Sequence, residues 1–272
     1  MIRKSILIIF FILLLLPIYW MLIGSFQDLR GLMAMPPRMI PNNPSLNNYV
    51  FFFNNWPVIK WIYNTIFVTI FTVIISVSIS LLTAYVFAFY KFKMKNVLWA
   101  IFLIGIMLPR ISLLIPTYII IKNLGLSGQL WAVILPVCFS PIGIYLARNY
   151  FESIPISLLE SARLDGANEL QVLYKIVAPL SKPIVTALAL FAAIGILQDY
   201  IWQMLILQNE SNQTLLVGLI KAAATRGGGE LNVNPIGRQF ATGIILLFPL
   251  LIIFLIANKY FTKDMLSGAV KE

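Results

Sequence analysis

The strongest constraint on this chain is the spacing of its charged residues. Four long stretches contain no Asp, Glu, Lys or Arg, and each is rich in aliphatic and aromatic residues. A helix of roughly 20 apolar residues crosses the hydrocarbon core of a bilayer, and each stretch is at least that long. The stretches lie between Lys4 and Asp28, between Lys60 and Lys91, between Lys122 and Arg148, and between Arg238 and Lys259.

Two further apolar stretches carry one charge each, Arg110 in residues 97–121 and Asp199 in residues 183–207. Apolar residues make up 60% of the chain and charged residues 11%, which is about half the charged fraction of soluble domains. The sequence therefore predicts an all-α membrane protein with a single transmembrane domain over residues 1–272. Its six predicted spans are residues 6–26, 62–90, 97–121, 124–147, 183–207 and 240–258.

Basic residues indicate the orientation of these spans. Lys91, Lys93 and Lys95 form a tight cluster between two spans, which is typical of a cytoplasmic loop. Both termini are then cytoplasmic, as is the segment 150–182. This distribution also accounts for the net charge of +10 without one dense basic patch, so nucleic acid is not an expected partner.

The composition excludes several kinds of chemistry. The chain has no histidine and a single cysteine, Cys138, so an intramolecular disulfide and a Cys/His metal site are excluded. It also has no Gly-x4-Gly-Lys-Ser/Thr phosphate loop, because the run Gly227–Gly229 lacks the lysine. We therefore expect no metal site, no bound cofactor and no ATP hydrolysis on this chain.

The segment between the fourth and fifth predicted spans has the signals of two short helices with a sharp break. Ser157 and Glu160 have the spacing of a capping box at the start of the first helix. Gly166 stands where a residue with positive φ would end that helix. Asn168 and Gln171 have the spacing of a second capping box.

The second short helix is predicted to be apolar on one side. Leu170, Leu173 and Val177 recur at helical spacing, and Pro179 is expected to end the run. An exposed element of this kind could fit the groove of a partner protein. It could equally pack on the membrane or on the ends of its own helices, and the pattern alone does not choose between them.

This segment resembles the ATPase-docking loop, with its Glu-Ala-Ala motif, of permease subunits of binding-protein-dependent ABC importers. The family pattern is Glu-Ala-Ala, two residues, Asp-Gly-Ala, eight residues, then Ile-x-Leu-Pro. The chain has the same spacing in 160–162, 165–167 and 176–179, with Ser161 and Ala178 as departures. The residues that the resemblance implies for ATPase coupling are Glu160, Ala162, Arg163, Asp165, Gly166, Ala167, Ile176 and Pro179.

The resemblance also implies an architecture and a set of partners. It implies a type I ABC importer permease (MetI-like) fold in a bacterial cytoplasmic membrane. The implied partners are a second homologous permease subunit, two ATPase subunits, an extracytoplasmic solute-binding protein and the lipid bilayer, with ATP and Mg²⁺ bound on the ATPase. Within the coupling loop, defined here as residues 150–182, Glu160 would pair with an arginine of the ATPase.

Two further motifs resemble the carbohydrate branch of the family, similar to the smaller permease of maltose-type importers. They are Thr214–Leu219 and the tail Ser267–Lys271. The tail residues implied to contact the ATPase are Gly268, Ala269, Val270 and Lys271. The resemblance favours a sugar or oligosaccharide as the solute and keeps a glycerol-phosphate-type solute as the alternative. The chain departs from the family at Leu197-Gln198-Asp199, where Trp-Asn-Asp is frequent.

Charged residues inside spans usually face a partner or an aqueous cavity. Arg110 and Asp199 are such residues, and Gln198 and Gln203 lie nearby in sequence. All four are candidates for lining a solute pathway, although Arg110 and Asp199 could also form a purely structural pair. An ion-coupled secondary transporter is the competing class of function, but the inverted repeats frequent in such proteins are not seen here.

Overall fold

The computed structural model describes residues 2–36, 38–225 and 234–269, and this part of the chain is helical, with short irregular connections and no β-strand. Single 3-10 turns lie at Arg110–Leu113, Leu135–Val137 and Glu210–Asn212, and one π-helical turn lies at Leu173–Val177. The α-helices are α1 Ile2–Ser25, α2 Leu29–Leu32, α3 Asn47–Asn55, α4 Val58–Phe89, α5 Lys95–Met107, α6 Leu114–Asn123, α7 Leu130–Ile134, α8 Pro141–Phe151, α9 Ile156–Leu164, α10 Glu169–Val172, α11 Ala178–Leu180, α12 Lys182–Gln198, α13 Tyr200–Ile206, α14 Leu215–Ala224 and α15 Pro235–Ala269.

Three unbroken helical segments are long and apolar enough to cross a membrane: Lys4–Ser25 of α1, all of α4, and Pro235–Asn258 of α15. Three bent pairs of helices are also long and apolar enough if each pair is counted as one span. The described residues then contain up to six membrane-length segments. The pairs are Lys95–Met107 with Arg110–Asn123, Leu130–Val137 with Pro141–Phe151, and Glu169–Leu180 with Lys182–Gln198.

Two of these breaks are explained by a proline and the residue before it. Leu108 has an extended backbone (φ −74°, ψ 123°), as expected of a residue that precedes proline. The chain therefore leaves the helix at Leu108 and bends by 100° between α5 and α6. The same reasoning applies to Ser140 before Pro141, where the bend is 46°. The predicted span 97–121 is thus two helices with a break, not one straight helix.

By its internal contacts the chain divides into two compact units. The first unit contains residues 1–63 and 213–252. Its core packs Phe52 and Trp61 against Leu219, and all three side chains are fully buried. The amide of Asn48 donates to the carbonyls of Ser25 and Gln27, which holds the loop after α1 in place.

The second unit contains residues 64–212 and 253–272. It has two apolar clusters. One is built around Trp202, Ile134 and Val68. The other joins α4 and α8 to residues of the coupling loop, and it places that loop relative to the rest of the unit.

Candidate functional site

The first helix of the coupling loop, α9, begins at Ile156 after the extended residue Pro155 (φ −59°, ψ 126°). The expected capping box at Ser157 and Glu160 is therefore wrong, because Ser157 already lies within the first helical turn and no side chain caps the helix. The carbonyl of Ser157 instead accepts a hydrogen bond from the Ser161 hydroxyl at 2.9 Å.

The end of α9 is the turn that the sequence predicted. Gly166 has a φ of +86°, in the left-handed region that glycine adopts without cost. Its N–H donates to the carbonyl of Arg163, and the N–H of Ala167 donates to the carbonyl of Ala162, both at 3.0 Å. This pair of bonds is the Schellman motif, which satisfies the last carbonyls of a helix.

The second helix begins with the predicted capping box. The Asn168 side chain accepts from the Gln171 N–H, and the Gln171 side chain accepts from the Asn168 N–H, both at 2.9 Å. The predicted apolar face is only partly correct, because Leu170 is 60% exposed. The π-helical turn Leu173–Val177 spreads one turn over an extra residue, so Val172 shares the buried face with Leu173 and Val177.

The apolar side of the coupling loop packs on its own chain. Leu159 and Leu173 are buried in one cluster with Leu81 of α4 and Phe151 of α8. The buried Ala162 belongs to the same cluster, so it supports the loop and does not form its surface. Pro179 does not end the helical run as predicted, since helix continues to Leu180 and breaks at Ser181.

The exposed surface of the loop lies around the Gly166 turn. Glu160, Asp165 and Gly166 are exposed, whereas Ala167 and Ile176 are half-buried. Leu164 is 90% exposed directly beside the turn, and sequence analysis did not identify it. The available signal was its place in α9, because Leu164 is two residues beyond the buried Ala162 and so faces away from the core. Apolar and acidic groups together therefore form the tip.

An ion-pair network fastens the loop to α4. The Arg163 guanidinium donates two hydrogen bonds to the Glu169 carboxylate, at 2.9 and 3.1 Å. The Tyr85 hydroxyl of α4 donates to the same carboxylate at 2.6 Å. Arg163 is thus engaged within its own loop, where the resemblance implied a contact with the ATPase. The hydrogen bonds from Arg163 lower the pKa of Glu169 to about 2, although desolvation opposes this effect.

We expect this network to be lost only in strong acid. The pKa of Glu169 is lower in the folded loop than the ordinary value of 4.5, so its carboxylate stabilises the folded state above pH 4.5. That contribution declines as the pH falls towards about 2. In thermal unfolding, the difference in melting temperature between wild type and Glu169→Gln should be constant from pH 7 to about pH 5 and should then shrink. A difference that is unchanged at pH 3 would contradict the proposed ionisation.

Tyr85→Phe removes the hydroxyl bond and keeps the ring, so we expect solute-stimulated ATP turnover by the assembled complex to fall about two- to tenfold. Tyr150→Phe is the matched control, because Tyr150 packs against the same cluster and no hydrogen bond is seen from its hydroxyl in the described part of the chain. Equal ATP turnover in both variants would show that the Tyr85 hydrogen bond does not contribute to coupling between the loop and α4.

Besides the coupling loop, the second unit contains a cavity of about 770 Å³. Arg110 and Asp199 both line it, and an Nη atom of Arg110 lies 3.0 Å from Oδ2 of Asp199. The other oxygen of Asp199 accepts a hydrogen bond from the Trp202 N–H at 3.4 Å, so the carboxylate also caps the N-terminus of helix α13. Two of the four candidate pathway residues are therefore brought together.

The other two candidates do not line this cavity. Gln203 is buried, and its side chain donates to the carbonyl of Ile196. Gln198 is exposed but is not in the cavity wall. A stripe of hydroxyl residues on α4 is also buried in that wall and is not among the residues predicted from the sequence; it consists of Thr72, Ser76 and Ser80. Their spacing of four residues on one apolar helix was the available signal.

Part of the predicted tail and one predicted loop lie outside the described residues. Gly268 and Ala269 are the last residues of α15, whereas Val270 and Lys271 are not described. The run Gly227–Gly229 is not described either.

The described part of the chain is helical, with membrane-length apolar helices, a cavity that contains an ion pair at helix breaks, and a helix–glycine–helix loop with an exposed tip, and this is the architecture of a MetI-like membrane permease. A comparison with protein families agrees. Residues 76–267 match the model described as "Binding-protein-dependent transport system inner membrane component", and the chain belongs to this family.

Relatives transport chemically different solutes. The chain is 29% identical to the arabinooligosaccharides transport system permease protein AraQ of Bacillus subtilis, over 96% of this chain and 92% of that protein. It is 27% identical to the sn-glycerol-3-phosphate transport system permease protein UgpE of Shigella flexneri, over 94% and 92%. Among solved structures, it matches a chain of a bacterial ABC transporter that imports the acidic polysaccharide alginate, with 26% identity, a TM-score of 0.85 and coverage of 96% and 95%.

Proposed function

We propose that this chain is one of two permease subunits of an ATP-driven importer in a bacterial cytoplasmic membrane. The observation that carries the proposal is the coupling loop, because its buried side is fixed to α4 while its tip, around Leu164 and Gly166, is exposed. A loop built in this way can transmit the movement of a bound ATPase to the membrane helices. The six spans, the cytoplasmic termini and the cytoplasmic position of the loop are parts of the same proposal.

The proposed mechanism is alternating access. An extracytoplasmic binding protein delivers the solute, and two ATPase subunits close on ATP and Mg²⁺ and pull the coupling loops of the two permeases. A movement of this kind requires contacts that differ between two states. Glu160 and Asp165 are the exposed acidic groups offered to the ATPase, and the tail 268–271 is proposed as a second contact with it.

The proposed solute is a sugar or an oligosaccharide. AraQ supports a neutral oligosaccharide, and the alginate transporter supports an acidic one. A glycerol-phosphate-type solute is the second candidate, supported by the similarity to UgpE.

Reconstitution tests this function. The two permeases, the ATPase and the binding protein encoded with this chain are placed in proteoliposomes containing ATP, and uptake of radiolabelled arabinotriose, galactotriose, trigalacturonate and glycerol 3-phosphate is measured. We expect uptake of at least one of these solutes to require ATP and the binding protein. Uptake driven by an ion gradient without ATP would overturn the proposal and favour a secondary transporter.

A further inference from the structure

We propose that the Arg110–Asp199 pair is a recognition point for electrically neutral, polyhydroxylated solutes and that it discriminates against anionic ones. This inference rests on the proposed function, because it assumes that solute passes along the cavity. It goes further by choosing one solute chemistry among those that the relatives transport.

Both charges stand at breaks between helices. Arg110 follows Pro109, where the bend between α5 and α6 begins, and Asp199 separates α12 from α13 with a non-helical backbone (φ −78°, ψ 75°). Irregular backbone at membrane depth persists only where protein buries it or where it lines an aqueous cavity. Interrupted helices that face each other with charged side chains are a recurring arrangement at transport sites.

The pair leaves hydrogen-bonding capacity for a ligand. The Arg110 side chain is 70% exposed, and in the described part of the chain its one hydrogen bond is to Asp199. A guanidinium has five N–H donors, so most of those of Arg110 remain available to the cavity. The Asp199 side chain is 13% exposed and is held by Arg110 and by the Trp202 N–H. The site therefore presents several donors beside one oriented acceptor.

Charge balance decides which solute suits this pair. Arg110 and Asp199 are the two charged side chains among the described residues that line the cavity, and together they are neutral. A sugar hydroxyl can accept from the guanidinium and donate to the carboxylate, so it benefits from both partners. A carboxylate or phosphate would gain from Arg110 but would be repelled by Asp199 only 3.0 Å from the guanidinium. The pair thus favours a neutral saccharide.

The rest of the wall is compatible with a sugar ring. The volume of the cavity, about 770 Å³, is within the range of small-molecule sites. Phe139 and Phe191 provide exposed aromatic surface for the apolar faces of a ring. The buried Thr72 lines the wall, and its hydroxyl makes no hydrogen bond within the described part of the chain. A small rotation of this side chain would add a further donor and acceptor to the site.

The experiment measures protection of a cysteine beside the pair. Ile111, which is 62% exposed in the cavity wall, is replaced by cysteine in a Cys138→Ala background. The complete complex is placed in nanodiscs, and the rate of labelling by N-ethylmaleimide is measured with galactotriose or with trigalacturonate. Both probes are α-1,4-linked and have the same rings and length, and they differ only at C6, where each ring carries a hydroxymethyl group in galactotriose and a carboxylate in trigalacturonate. We expect galactotriose to slow labelling roughly threefold or more and trigalacturonate to have little effect.

In the Asp199→Asn variant, we expect trigalacturonate to protect the cysteine better than galactotriose does. Loss of the carboxylate charge removes the repulsion, so trigalacturonate should then protect about tenfold better than it protects the wild-type pair. Glu210→Gln is the matched control, because it removes an exposed carboxylate of the same unit that lies outside both the cavity wall and the coupling loop. It should leave both protection ratios unchanged.

The inference would be overturned by equal protection by both probes, by no protection by galactotriose, or by an unchanged preference in Asp199→Asn. A cysteine at 111 that is inaccessible without any solute would also overturn it, since the partner permease would then fill the cavity. If Ile111→Cys does not assemble, Ile142→Cys in the same wall replaces it. A complex with ATP-dependent uptake but no preference refutes this inference alone, whereas the absence of ATP-dependent uptake refutes the proposed function.

Discussion

Replacing Gly166 with valine is expected to abolish solute-stimulated ATP turnover while the permease still inserts in the membrane. A Cβ atom at this position would meet no atom within 4 Å, so the cost is conformational and not steric. A residue with a side chain pays about 1–2 kcal/mol in the left-handed region, and a β-branched residue pays more. The cheaper response is to unwind the turn, which displaces Leu164 and Asp165 from the tip of the loop.

Gly125→Val is the matched control for this prediction. Gly125 has a φ of +70°, ends helix α6 with the same pair of Schellman hydrogen bonds, and also has open space around it. Both variants should lose similar thermal stability, but only Gly166→Val should lose co-purification of the ATPase and stimulated turnover. Wild-type coupling in Gly166→Val, or an equal loss of coupling in Gly125→Val, would show that the turn at 166 has no special role.

The second large effect is expected at Gly218 in the first unit. A Cβ atom on Gly218 would overlap three ring atoms of Trp61, and Trp61 is fully buried. Overpacking of this kind typically costs about 1–3 kcal/mol. The cost should lie at the upper end of that range, because a buried indole between Phe52 and Leu219 has little room to move.

We therefore expect Gly218→Ala to lower the melting temperature of the detergent-purified permease by several degrees and to reduce its yield. Gly195→Ala is the control. Gly195 lies in a different apolar helix, α12, and a Cβ atom there would meet no atom within 4 Å. The double variant Gly218→Ala/Trp61→Leu should recover part of the loss, since the smaller side chain relieves the overlap. A Gly218→Ala protein as stable as Gly195→Ala would contradict the packing described around Trp61.

The coupling loop shows how far local signals reach. The left-handed Gly166 and the capping box of Asn168 and Gln171 were predicted, because both depend only on residues within a few positions of each other. The failed predictions depended on context. Ser157 did not cap α9 because Pro155 moved the start of the helix, and Leu170 left the apolar face because of the π-helical turn.

The candidate cavity shows the same limit at longer range. Arg110 and Asp199 can be predicted as pathway residues from the sequence, because a charge within an apolar stretch is expensive in a membrane. Gln203 was selected only by its polarity and its place in sequence, and the structure shows that an internal carbonyl satisfies its amide in the core. A polar side chain in a membrane can meet its hydrogen-bonding needs in either way, and the pattern does not distinguish them.

The class of this protein can be predicted from the sequence alone, because long apolar stretches without charge are stable as helices in a bilayer. The local turn that shapes the coupling loop can also be predicted from the sequence. The contacts between groups that are distant in sequence depend on the three-dimensional fold. Arg110 and Asp199 are 89 residues apart, and Tyr85 and Glu169 are 84 apart. Helical periodicity and capping act over a few residues, whereas these pairs depend on how proline breaks bend the helices and on which helices then pack together.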